Sequence, residues 1–80
     1  QVTIIGRDLA TDVVIPDGTL SSRHTALSRR ENAWWIEDLG STNGTFLNGE
    51  RLPAEVPAIL RSGDVVQVGG VRLRFVATSQ

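Results

Sequence analysis

The sequence predicts an all-β fold, a mainly antiparallel β-sandwich, on three observations. Val, Ile and Leu fall in short bursts separated by Gly, Asn, Asp, Pro and Ser, the texture of strands joined by tight turns. No stretch sustains the i, i+3, i+4, i+7 spacing of an amphipathic helix. Val71, Leu73 and Phe75 alternate with Arg72 and Arg74, so that one face is apolar and the other charged, as a half-buried strand requires.

Strands are expected over residues 2–5, 12–15, 24–29, 33–38, 45–47, 51–52, 65–68 and 71–76. The first two are apolar bursts closed by Gly6 and Pro16. Residues 29–33 form a polar turn between the third and fourth. In the fourth, the adjacent Trp34 and Trp35 must face opposite sides, one packing with Ile36 in the core and the other covering a sheet face or edge. Asn48-Gly49 reads as a hairpin turn between the fifth and sixth. Residues 53–61 read as a loop crossing from one edge to another, because Pro53 and Pro57 interrupt any regular ladder. Ser62-Gly63-Asp64 turns the chain into the seventh strand, and Gly69-Gly70 joins it to the last as a two-residue hairpin. With no internal repeat and no linker, residues 1–80 are expected to form a single domain.

Composition removes several classes of function. The 80 residues include no Cys and a single His, which excludes a disulfide framework, a Cys-based zinc site, a thiol nucleophile and a multi-His metal centre. A formal charge of −1 weighs against a domain whose main work is non-specific binding of nucleic acid. No apolar run is long enough to span a bilayer, so no membrane contact and a cytoplasmic location are expected. Every basic side chain is Arg, so an anion site would rely on the planar guanidinium fork, which pairs with phosphate or carboxylate through two hydrogen bonds.

Four polar segments are poorly explained by folding alone: Gly6-Arg7, Ser21-Ser22-Arg23-His24, Ser41-Thr42-Asn43-Gly44-Thr45 and Asn48-Gly49. They offer a guanidinium, hydroxyls, a carboxamide and Gly-loosened amides, without a paired acid and base. Such a set holds an anion and does not transform a substrate. A hydrolase built on Ser21 and His24 lacks both a nucleophile-elbow motif and a positioned acid. No catalytic residue, metal or cofactor is therefore expected.

Ile5-Gly6-Arg7, Ser21-x-x-His24, the run from Asp38 to Thr45, Asn48-Gly49 and Gly63-Asp64 resemble, in order, the signature of forkhead-associated (FHA) domains, phosphothreonine-peptide readers on a β-sandwich. The resemblance extends from about Val2 to Val76 and implies a role for each matching residue. Arg7, Ser21, Ser22 and Thr42 would hold the phosphate. Asn43 would pair with the peptide backbone beside the phosphothreonine, and Arg23 would contact the peptide. Gly6, His24 and Gly44 would support the loops, His24 by bonding backbone near Ser21.

Two departures accompany the match. Ser22 stands where the family often carries Arg, Asn or Lys. The Gly-Arg segment comes almost at the first residue, where the family has one or two earlier strands, so the chain is expected to be either the motif-bearing core of a longer protein or a domain missing an N-terminal edge. The implied function is recognition of a phosphothreonine partner, in trans or in the parent chain, in kinase signalling. The alternative is phosphate-independent docking or self-association around an exposed Trp. An unpaired strand edge would allow dimerisation.

Overall fold

The structure, a computed structural model, describes residues 1–78; the last two residues of the expected domain lie outside it. Its nine strands are β1 (Val2–Gly6), β2 (Val13–Val14), β3 (Thr25–Arg30), β4 (Ala33–Asp38), β5 (Thr45–Leu47), β6 (Glu50–Arg51), β7 (Ala58–Leu60), β8 (Val65–Val68) and β9 (Val71–Arg74). They build a five-stranded sheet in the order β2-β1-β3-β4-β7 and a four-stranded sheet in the order β6-β5-β8-β9. The β1·β2 pair is parallel and the other strand pairs are antiparallel.

Each sheet turns its alternate apolar residues inward. Ile5, Leu20, Ile36, Leu60, Val66 and Val68 form the buried centre, flanked by the half-buried Trp34, Leu47, Leu73 and Phe75. Full burial of one such side chain contributes about 1.5–3 kcal/mol, so this cluster is what holds the two layers together. Trp34 lies on the side of Ile36 and meets Phe75 edge to face, with centroids 5.6 Å apart. Trp35 points the other way, with the Arg30 guanidinium 5.4 Å from its ring centre.

The hairpins follow from residues that tolerate positive φ. Glu31 and Asn32 (φ 54° and 64°) close β3 to β4, and Asn48 and Gly49 (φ 50° and 88°) close β5 to β6, both central residues being left-handed as a type I′ turn demands. These two turns lie at the end of the sandwich away from the loops described below. Asn48 belongs there as a brace: its side chain accepts from the Val65 N–H at 2.9 Å and donates to Asp64 at 3.1 Å.

Two expectations need correction, and several strand bounds shift by one or two residues. Residues 53–61 are not wholly loop, because Ala58–Leu60 pairs with β4 through Ile36↔Ala58, Trp35↔Ile59 and Trp34↔Leu60. Both prolines precede the paired residues, and an edge strand of this length needs no more of the segment than that. The second strand shrinks to Val13–Val14, the sixth starts at Glu50, and the last ends at Arg74, although the Phe75 N–H still donates to the Asp64 carbonyl at 2.9 Å. The first strand is no edge: β1 sits between β2 and β3. The exposed edge beside half-buried apolar side chains is β9, where a mostly apolar cleft of about 90 Å³ opens between Ile5, Leu27, Leu60, Val66, Leu73 and Phe75, with Arg74 also lining it.

Candidate functional site

At the end of the sandwich opposite the β3–β4 and β5–β6 turns, three loops and one turn are tied together by hydrogen bonds. They are residues 7–12 after β1, 15–24 between β2 and β3, 39–44 between β4 and β5, and the Gly69-Gly70 turn. Arg7, Ser21, Ser22, Arg23, Thr42 and Asn43 all stand on this rim, and all but the half-buried Ser21 are exposed.

The first two loops meet because β1 prolongs its pairing beyond the sheet. The His24 N–H donates to the Ile5 carbonyl at 2.9 Å, the Arg7 N–H to Ser21 at 3.1 Å and the Asp8 N–H to Ser22 at 3.2 Å. Gly6 makes this approach possible, since a Cβ there would collide with the Ser22 carbonyl oxygen. Arg7 Nε donates to the Leu20 carbonyl at 3.0 Å, which anchors the base of the guanidinium beside Ser21 and leaves the terminal nitrogens as the fork.

His24 is fully buried and joins the second loop to the third. Its Nδ1 accepts from the Ser21 N–H at 3.0 Å, so the proton resides on Nε2, which donates to the Gly44 carbonyl at 2.8 Å. The same carbonyl accepts from the Gly69 N–H at 3.1 Å, which brings in the β8–β9 turn. With both ring nitrogens committed to backbone, the imidazole has no nitrogen left to act as a base toward Ser21.

The third loop is organised by Asp38, which is buried at the end of β4. Its carboxylate accepts from the N–H groups of Gly40 (3.1 Å) and Ser41 (3.0 Å) and from the hydroxyls of Ser41 (2.6 Å) and Thr45 (2.6 Å). Burial pushes this carboxyl up, but the Ser41 and Thr45 hydroxyls and the two amides outweigh burial and hold it below the ordinary carboxylate range. Thr25 and Thr45 share a further hydroxyl contact at 2.8 Å, and Ser41 Oγ accepts from the Gly44 N–H at 2.9 Å. Gly44 itself has φ 89°, and a Cβ there would fall 2.7 Å from Arg51 Nε.

On this frame the polar groups converge. The Thr42 N–H donates to Ser21 Oγ at 3.2 Å, so the Ser21 hydroxyl proton is free to point outward. Asn43 Nδ2 donates to the Thr19 carbonyl at 2.8 Å, which leaves Oδ1 as its open acceptor. Thr19 is a hub that the sequence did not single out. Its hydroxyl donates to Asp17 and accepts from the Gly70 N–H at 2.8 Å, linking the second loop to the β8–β9 turn. Asp17 and Thr25 were likewise unmarked by residue type; Asp38, Ser41 and Thr45 lie in the marked run, and the Asp-x-x-Ser spacing from Asp38 to Ser41 is the Asx-turn signal of their bracing role.

An FHA domain family model matches residues 3–69. The chain belongs to the FHA domain family. It is 40% identical over 74 residues to an oxoglutarate dehydrogenase inhibitor of Corynebacterium diphtheriae, covering 92% of this chain and 50% of that protein. It is 37% identical over 75 residues to the glycogen accumulation regulator GarA of Mycobacterium tuberculosis, covering 94% of this chain and 44% of that one. This FHA domain thus spans about half the length of the curated relatives it matches. A solved structure from a structural and functional study of phosphothreonine-dependent FHA domain interactions superimposes with a TM-score of 0.89 at 28% identity, over 99% of this chain and 79% of that one.

Proposed function

We propose that this FHA domain binds phosphothreonine on a protein partner, in trans or within its parent chain, and that Arg7, Ser21, Ser22 and Thr42 hold the phosphate. The observation that carries the reading is the meeting of the Arg7 fork, the outward Ser21 hydroxyl and Thr42 on loops braced by one buried His. The fork supplies charge-assisted donors to the phosphate oxygens, stronger than neutral hydrogen bonds. Ser21 adds a hydroxyl donor, and Ser22 an amide or hydroxyl. Asn43 Oδ1 accepts a peptide N–H, which fixes direction without demanding a particular side chain. Arg23, exposed beside them, contacts the peptide. Gly6, His24 and Gly44 hold the loops in place. Nothing in this set shuttles a proton, so the domain recognises its partner without catalysis, in keeping with the inhibitor and the regulator it is similar to.

Titrating matched phosphorylated and unphosphorylated threonine peptides, followed by Trp fluorescence, tests the reading. Only the phosphorylated peptide should bind; equal binding of both would replace it with phosphate-independent docking. Arg7→Ala should weaken phosphopeptide affinity about ten- to a hundredfold, the equivalent of about 1.5–3 kcal/mol for a hydrogen bond to a charged group. Its thermal midpoint should stay that of the parent, because Arg7 is exposed.

A kinase-marked partner is in keeping with a cytoplasmic location for the domain; among the described residues no helix is long and apolar enough to cross a membrane. Pairing of two copies by a strand edge is a separate reading, and β9, with Leu73 and Phe75 half-buried, is the strand that would carry it.

A further inference from the structure

The outer face of the four-stranded sheet is positively charged and runs up to the phosphate loops. Registered cross-strand neighbours place Arg51 of β6, Phe46 of β5, Gln67 of β8 and Arg72 of β9 in one row, with Val65 and Arg74 paired beside it. These residues alternate with the inward Leu47, Val66, Val68 and Leu73, so their side chains share the outward face. The face carries three arginines and no carboxylate at a registered outward position. Glu50 is in register with the inward Leu47, and Asp64 is occupied by Asn48 and the Arg61 N–H. The Arg51 guanidinium sits 5.9 Å from the Phe46 ring centre, and its Nε lies 2.7 Å from where a Gly44 Cβ would be, so the face begins where the third loop ends. Arg74 Nη1 donates to the Gly63 carbonyl at 3.3 Å, which marks its far limit.

We propose that this face docks an acidic segment of the same phosphorylated partner, carboxylates on either side of the phosphothreonine reaching Arg51 and Arg72 first and Arg74 beyond them. Four strands at about 4.8 Å spacing make a row of about 14 Å, which about four residues of extended peptide cover. Three cations on a chain of net charge −1 match a short carboxylate run and fall short of the six to ten phosphate contacts, roughly, of a duplex-binding surface. The proposal rests on the phosphothreonine reading, and its test separates the two.

Three phosphothreonine peptides, one with neutral flanks and one each with several glutamates before or after the phosphothreonine, are titrated into the parent domain and into Arg51→Gln/Arg72→Gln/Arg74→Gln. At low salt one glutamate-flanked peptide should bind the parent about three- to tenfold more tightly than the neutral one. The gain should vanish in the triple variant and at high salt, while the neutral phosphopeptide binds both proteins within about twofold. An equal gain in the triple variant, or none in the parent, overturns the proposal. So does duplex DNA or an anionic vesicle that binds through these arginines when the acidic peptides do not. The unphosphorylated counterparts separate the two readings: equal affinity with and without the phosphate, with the arginine-dependent gain kept, upholds the face while defeating the phosphothreonine reading.

Discussion

Arg7 and His24 both bond the backbone at Ser21 and carry opposite burdens. Arg7 is exposed and anchored through one nitrogen, so its loss should show in binding alone. His24 is fully buried and bridges Ser21 to Gly44, so its loss should show in both binding and stability. His24→Ala leaves the Ser21 N–H and the buried space behind it without the imidazole. A cost of about 2–4 kcal/mol is expected, read as a lower denaturant midpoint together with weaker phosphopeptide binding. Gly6→Ala has a third signature: the added methyl must displace the Ser22 carbonyl, so the loop carrying Ser21 moves off Arg7. Arg7, His24 and Gly6 were all marked in the sequence by the FHA resemblance, whereas the bracing role of Thr19 was not. A threonine beside Asp17 and Gly18 reads as an ordinary turn former, and its partners at Asn43 and Gly70 are distant in the chain.

At the scale of elements, the third loop depends on an ionised Asp38. A carboxyl whose folded value lies below its unfolded one stabilises the fold at pH above the unfolded value of about 3.9, and the contribution is lost as pH falls through the folded value. Asp64, held below its ordinary value first by the Arg61 N–H and then by Asn48, acts in the same direction at the opposite end. Phosphopeptide affinity should therefore fall in two acid steps. The first, near pH 6, belongs to the phosphate losing its second charge while the domain stays folded. The second, below about pH 4, is a loosening of the loops that circular dichroism of the free domain should detect. A single step with no structural change below about pH 4 would count against the role given to Asp38. The strand β7 belongs to this scale too. Pro53 and Pro57 disguise it in the sequence, and it exists because β4 has an open edge for Ala58–Leu60 to pair with.

At the scale of the molecule, the two sheets leave β2, β7, β6 and β9 as edges. β9 differs from the others in lying beside a mostly apolar cleft lined by Leu73 and Phe75. If that edge pairs two copies, light scattering over a concentration series should report a rising mass, and Leu73→Lys should hold the mass at that of one chain. A series that stays monomeric removes the dimer reading.

The sequence by itself determined that the chain is β throughout, where most turns fall, and which polar segments are candidates for a shared binding rim. Those features are written locally, in the alternation of Val71 to Phe75, in turn pairs such as Asn48-Gly49, and in the ordered motif from Gly6 to Thr45. Tertiary structure alone decided that β1 is internal, that Ala58–Leu60 is a strand, that Thr19 and Asp38 hold the loops, and that Arg51, Arg72 and Arg74 share a face. Each depends on residues brought together across long stretches of chain. Local propensity describes what a segment can become, and register between strands decides which of its groups meet.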